Sequence, residues 1–213
     1  MTGDADDPSA SDDAPSSDRI DEPTAASAAA LANPPTDAGE GWTHRRTEVV
    51  WENPFFTAGY DEVERPGGDV GRYYWIDPGD FVAVVAEQDG RVLLLEQYSV
   101  RLQASLLTCP GGGVDDGESF VEAGRRELRE ETGFRAGSAE LVEAYRPTAW
   151  TRMTQAVVYA TDLEPGPHER ESGEDLRTYA VPVDEAVAAV RSRERPFGGG
   201  LAPLLLARDE GLL

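Results

Sequence analysis

Beyond residue 41 the chain alternates short apolar runs with turn-forming residues. Residues 47–51, 55–64 and 70–76 read as strands, separated by Asn53-Pro54 and by Pro66-Gly67-Gly68. Residues 80–87 and 91–98 flank Gln88-Asp89-Gly90, whose Asp-Gly step predicts a hairpin turn. The continuous runs Phe81-Val82-Ala83-Val84-Val85 and Val92-Leu93-Leu94-Leu95 predict strands buried on both faces. Further strands are expected over residues 141–146, 154–161 and 176–183. A helical spacing runs over residues 183–191, and residues 201–208 predict a last helix. Strands outnumber helices and mix with them, so the fold class is α/β. No internal repeat is visible.

The clearest helix lies between these strands. Ser119 is an N-cap with Glu122 three residues on, which completes a capping box. Phe120, Val121, Ala123, Gly124 and Leu128 supply an apolar side. Thr132-Gly133 then ends the helix, with Gly133 in the left-handed position and Phe134 packing back. Immediately upstream, Cys109-Pro110-Gly111-Gly112-Gly113 is a glycine-rich loop, which lets the backbone approach a ligand closely.

Polar chemistry sharpens this picture. Glu127, Glu130 and Glu131 stand three and four residues apart and so share one helix face. Like charges at that spacing repel. No lysine neutralises them, which points to a cation. Hard divalent cations such as Mg2+ take carboxylate and carbonyl oxygens and leave room for a phosphate substrate.

The run from Gly112 to Phe134 resembles the signature of the Nudix hydrolases. Gly112, Glu118, Arg126, Glu127, Leu128, Glu130, Glu131, Gly133 and Phe134 fill every fixed place of that pattern. The alternative is a solvated acidic helix face, which explains neither the register with the glycines nor Arg126. The resemblance implies an α/β/α sandwich with mixed sheets and a metal-dependent pyrophosphohydrolase. It implies that Glu127 and Glu131 are metal ligands and that Glu130 ligates a further ion, directly or through water. It implies that the carbonyl of Gly111 or Gly112 completes the coordination, with Mg2+ as the ion and Mn2+ as a substitute. Arg126 would hold the acidic cluster, and Glu118 would be a supporting acid that orients the ligands.

Other segments resemble the ADP-ribose pyrophosphatase subgroup: Asn53-Pro54-Phe55-Phe56, Tyr73-Tyr74-Trp75-Ile76, and Val92 through Tyr98. That likeness implies hydrolysis of ADP-ribose to AMP and ribose 5-phosphate, and a homodimer formed with the amino-terminal strands. Trp51 or Tyr74 would stack on adenine, and Arg72 or Arg101 would meet phosphates. Sheet packing or a surface role is an equal alternative for each. The sequence departs from the subgroup at Thr108 and Ser99, where Glu and Arg are usual, and Pro147 lies closer to the motif than the usual proline. The base in some relatives comes from an acidic loop matching residues 171–175; its position falls on Ser172, so Glu171 or Glu174 would serve only with a shift of that loop. Other nucleotides remain alternative substrates: a nucleotide sugar, a dinucleoside polyphosphate or a nucleoside triphosphate. So does a non-catalytic domain that binds a nucleotide metabolite.

Composition sets the outer limits. The 213 residues carry 41 acids against 19 bases, all arginine, for a formal net charge of -22. A surface that acidic argues against nucleic acid and anionic membranes as partners; the small nucleotide that the resemblance implies would need metal ions and local arginines to neutralise it at the site. Acidity without lysine is also similar to proteins from salt-loving microbes. The single cysteine, Cys109, excludes an intrachain disulfide framework and suggests a reducing cytoplasm. No apolar run approaches membrane-spanning length, and the short run 25–32 lacks the basic segment of a signal peptide. Residues 1–40 are mostly small and polar or acidic and predict a disordered acidic tail. The resemblance implies that residues 41–78 are amino-terminal strands, a subdomain for dimerisation or substrate contact, and that residues 79–213 are a Nudix hydrolase domain.

Overall fold

The computed structural model describes residues 39–166 and 176–213. The expected tail therefore lies almost wholly outside the described residues. Among the described residues, ten strands and three helices follow in this order: β1 (Thr43–Asn53), β2 (Phe56–Glu64), β3 (Val70–Asp77), β4 (Phe81–Gln88), β5 (Arg91–Ser99), β6 (Ala104–Thr108), β7 (Gly111–Gly113), α1 (Phe120–Thr132), β8 (Phe134–Tyr145), β9 (Gln155–Pro165), β10 (Leu176–Pro182), α2 (Val183–Arg191) and α3 (Gly198–Asp209). Among the described residues no helix is long and apolar enough to cross a membrane.

The β4–β5 hairpin turns where expected, because Asp89 and Gly90 both take positive φ, 53° and 73°. The two strands pair only beside that turn, at Glu87–Val92 and Gln88–Arg91. They then part. β4 runs parallel to β9 and antiparallel to β7, while β5 pairs with β6 and β10. The resulting seven-stranded sheet, ordered β10-β5-β4-β9-β8 with β6 and β7 alongside, is mixed.

Helices cover both faces of this sheet, which explains the unbroken apolar runs. On β4, Val82 and Val84 pack with Ala123 and Leu128 of α1, as do Ala156, Val158 and Ala160 of β9. Val85 and Val157 point the other way, against Val187 and Val190 of α2 and Leu204 of α3. Leu128 is fully buried. Leu128→Ala should therefore lower stability by about 3 kcal/mol through lost burial and the remaining cavity, read as a shift in the urea midpoint.

The α/β/α expectation is met, with differences at the edges of elements. The glycine loop is partly a strand: Gly111–Gly113 pairs with Ala83–Phe81. Glycine's low strand propensity hides this from the sequence. The strand expected over 141–146 starts already at Phe134, and the last helix starts at Gly198 rather than residue 201. Three leading glycines mask that helical turn.

β1, β2 and β3 form a separate antiparallel sheet. Its Val49, Val50, Trp51, Tyr74 and Ile76, with Phe55 in the β1–β2 turn, are exposed.

Candidate active site

The site is built by the segment from β7 through α1. The Ser119 side chain caps the helix by accepting from the Glu122 amide, and Glu122 answers to the Ser119 backbone, so the capping box forms. Gly133 ends α1 in the left-handed conformation, φ 79°. These caps fix the helical register. Ala123, Gly124, Leu128 and Thr132 turn inward, while Glu127 lies against Gly112 and Glu131 against Gly111 of β7. Gly124 permits a close approach, since a Cβ there would already touch Val158 and Val84 at 3.3 Å.

Arg126 organises the cluster. Its Nη1 donates to Glu127 Oε1 at 2.6 Å and to Glu130 Oε2 at 3.3 Å. Its Nε and Nη2 donate to the two Glu118 oxygens at 3.1 and 3.0 Å. Nη2 also donates to the Gly113 carbonyl at 2.7 Å. One guanidinium therefore joins three of the expected acids to the glycine strand, a use of its planar fork that lysine could not match. Hydrogen bonds from Arg126 lower the Glu118 pKa, and the same contacts raise that of Arg126. Arg129 Nη2 adds a longer contact to Glu130 Oε1 at 3.4 Å. Glu131 Oε2 accepts from the Gly111 amide at 2.7 Å.

A depressed acid stabilises the fold above its unfolded-state pKa and loses that contribution as pH falls through its folded value. Glu118→Gln should thus be less stable than the native protein at neutral pH. The gap should narrow below about pH 4, under the ordinary glutamate value; urea midpoints measured across pH would show it.

The donor set suits a hard divalent ion, since every candidate atom is a carboxylate or carbonyl oxygen. Gly112 leaves the space that the Glu127 carboxylate fills; a Cβ there would overlap it. As placed, however, no three His, Cys, Asp or Glu side chains among the described residues stand ready to hold a metal. Arg126 bonds one oxygen of Glu127, and the Gly111 amide bonds one oxygen of Glu131.

The remaining candidates lie elsewhere. Arg72 Nε donates to Glu62 Oε1 at 3.2 Å and its guanidinium covers the Tyr60 ring at 4.6 Å. Trp51 meets Phe56 edge-on at 5.2 Å. Arg101, in the β5–β6 turn, reaches over Phe55 at 5.9 Å. Glu171, Ser172 and Glu174 fall outside the described residues. Cys109 is buried, its thiol pushed up to about 12 by burial, as a packed residue would be. Two features escaped the sequence. The Gly113 carbonyl serves Arg126, and Asp115 donates its amide to Glu118 Oε2 at 3.2 Å. Backbone groups leave no residue-type signal.

The chain is similar to several known proteins. The NUDIX domain family model matches residues 77–201. The CMP-5'-(N-acetyl-N-hydroxy-3-aminopropyl)phosphonate hydrolase of Streptomyces rubellomurinus is 32% identical over 170 residues, 77% of this chain and 81% of that protein. The ADP-ribose pyrophosphatase of Bacillus subtilis is 28% identical over 138 residues, covering 63% and 75%. The ADP compounds hydrolase NudE of Escherichia coli is 26% identical over 166 residues, covering 76% and 89%. A crystal structure of an ADP compounds hydrolase superposes with a TM-score of 0.72 at 25% identity, over 80% of this chain and 95% of that one.

Proposed function

This chain belongs to the NUDIX domain family, and we propose that it hydrolyses the pyrophosphate bridge of a nucleoside diphosphate linked to another group, with ADP-ribose as the leading substrate. Water attacks one phosphorus and the bridging P–O bond breaks, so ADP-ribose and one water give AMP and ribose 5-phosphate. The observation that carries this reading is the Arg126 cluster, which gathers Glu118, Glu127 and Glu130 beside the glycine strand. The relatives named for ADP-ribose and ADP compounds favour the substrate.

Glu127, Glu130, Glu131 and the Gly111 carbonyl would hold Mg2+, with Mn2+ as a substitute. When bound, such an ion offsets the negative charge that builds on the phosphoryl oxygens. The chain's own residues position the reacting groups. Arg126 keeps Glu127 and Glu130 side by side against their mutual repulsion. Glu118 fixes that guanidinium from behind. Glu174 is the candidate acceptor for the proton that the attacking water releases.

Residues 41–78 would supply the nucleoside-binding side, with Trp51 stacking on the base and Arg72 and Arg101 meeting phosphates. Trp51, Phe55 and Tyr74 are 60%, 71% and 58% exposed, a degree of apolar exposure that favours a homodimer formed through this sheet. Light scattering across protein concentration tests the dimer.

A second reading keeps the reaction and changes the nucleoside, because the 32% identical relative is named for a CMP compound. A panel of ADP-ribose, CMP-linked phosphonates, nucleotide sugars, dinucleoside polyphosphates and nucleoside triphosphates, ranked by kcat/KM, separates them. ADP-ribose ranking first supports the proposal. A cytidine compound ranking first replaces it, and turnover of none refutes the enzyme reading.

A further inference from the structure

The connection between β8 and β9, residues 146–154, meets the amino-terminal sheet through one arginine. The guanidinium carbon of Arg152 lies 3.8 Å from the centre of the Trp75 ring on β3. Its Nη2 donates to Asp61 Oδ2 on β2 at 2.6 Å. The backbone repeats the link: Ile76 donates to the Trp150 carbonyl and Arg152 to the Ile76 carbonyl, each at 3.0 Å. Asp61 is itself tied to β1, accepting from Thr47 Oγ1 at 2.6 Å with His44 Nε2 at 3.4 Å. Burial opposes its charge, yet the hydrogen bonds from Thr47, Arg152 and His44 hold its pKa down at about 2.

The space for this stack is made by the sequence. Gly59 faces Trp75 across the β2–β3 pair, and a Cβ there would lie 2.6 Å from Trp75 Cζ2. Trp75 is only 8% exposed, whereas its neighbours Tyr74 and Ile76 are open. A planar cation stacked on an indole and bonded to a carboxylate is oriented in two ways at once.

The same connection reaches the catalytic sheet. Thr154 donates its amide to Asp80 Oδ1 at 2.7 Å, and Phe81 donates to the Thr154 carbonyl at 3.0 Å. Phe81 opens β4, the strand that pairs with Gly111–Gly113. A short path thus joins the sheet bearing Trp51 and Arg72 to the strand bearing the glycines of the site.

We infer that Arg152 is a positioning residue for substrate: it clamps the amino-terminal sheet to the β8–β9 connection and so fixes nucleoside-binding groups relative to the acidic cluster. Arg152 itself touches no reacting atom. This inference rests on the proposed hydrolase activity for its kinetic arm, and on the clamp geometry alone for its exchange arm.

The test uses the full chain with Arg152→Ala, Arg152→Lys and Asp61→Asn. Hydrogen exchange read by mass spectrometry should speed up about tenfold or more in peptides covering 70–77 and 146–154 in Arg152→Ala, and stay unchanged in β9, because local opening is confined to few contacts. On the substrate ranked first in the panel, KM should rise about tenfold while kcat stays within about threefold, as expected when binding that is equal in ground and transition states is lost. Arg152→Lys keeps the charge near Asp61 but not the flat stack, so it should fall between the two. Asp61→Asn should follow Arg152→Ala in both readouts. A purely structural role would instead lower kcat with the folded fraction and leave KM alone, which overturns the inference. Unchanged exchange overturns it too, as does faster exchange with unchanged KM. If the native protein cleaves no nucleotide, the proposed function fails, and the exchange arm alone decides whether the clamp exists.

Discussion

Glu131→Gln is expected to cut kcat by about a thousandfold, roughly 4 kcal/mol of transition-state stabilisation, with the fold intact. The substitution keeps the side chain's length and volume. Its amide oxygen can still accept from the Gly111 amide, which Glu131 Oε2 meets at 2.7 Å. What disappears is the negative charge, and with it a strong ligand for a hard cation. Steady-state rates beside a thermal melt separate these effects: an unchanged melting temperature with lost turnover fits the assignment. Near-native metal-dependent turnover would remove Glu131 from the site.

Gly112→Ala should lose about a hundredfold in kcat, the scale on which an ångström of misplacement costs rate. A methyl group there would overlap the Glu127 carboxylate, which is pinned on its other side by Arg126 at 2.6 Å. Glu127 would have to swing away, and the Arg126 contacts to Glu130 and Glu118 would shift with it. Gly113→Ala provides the control, because a Cβ at that position meets nothing within 4 Å. It should keep near-native kcat. Equal losses in both variants would mean that strand flexibility, not the space for Glu127, is what matters.

Much of this was legible in the residues themselves. The capping box at Ser119 and Glu122 and the stop at Gly133 set the helix to within a residue. Unbroken apolar runs over β4 and β5 announced a sheet covered on both sides. What stayed hidden has common causes. β7 is three glycines, whose pairing with β4 depends on a partner distant in sequence. β6 is a five-residue strand in a stretch that carries weak periodicity. At the site, the acids were visible by spacing and the family resemblance gave Arg126 the role of holding them, but not which of its nitrogens meets which group. Arg126 and Glu130 are i,i+4 neighbours on one helix, whereas the bonds to Glu118 and the Gly113 carbonyl need the turn before α1 to fold back. The Arg152–Trp75–Asp61 arrangement unites residues far apart in the chain, so no local pattern marks it.

The most direct test of the central claim is a crystal structure with Mn2+ and a non-hydrolysable ADP-ribose analogue, read by anomalous scattering. The account predicts a metal peak touching Glu127 and Glu131, with Arg126 withdrawn from the ligating oxygens and the analogue's pyrophosphate against the metal. A metal bound elsewhere, or a pyrophosphate seated away from α1 with Arg126 still bridging Glu127 and Glu130, would contradict it.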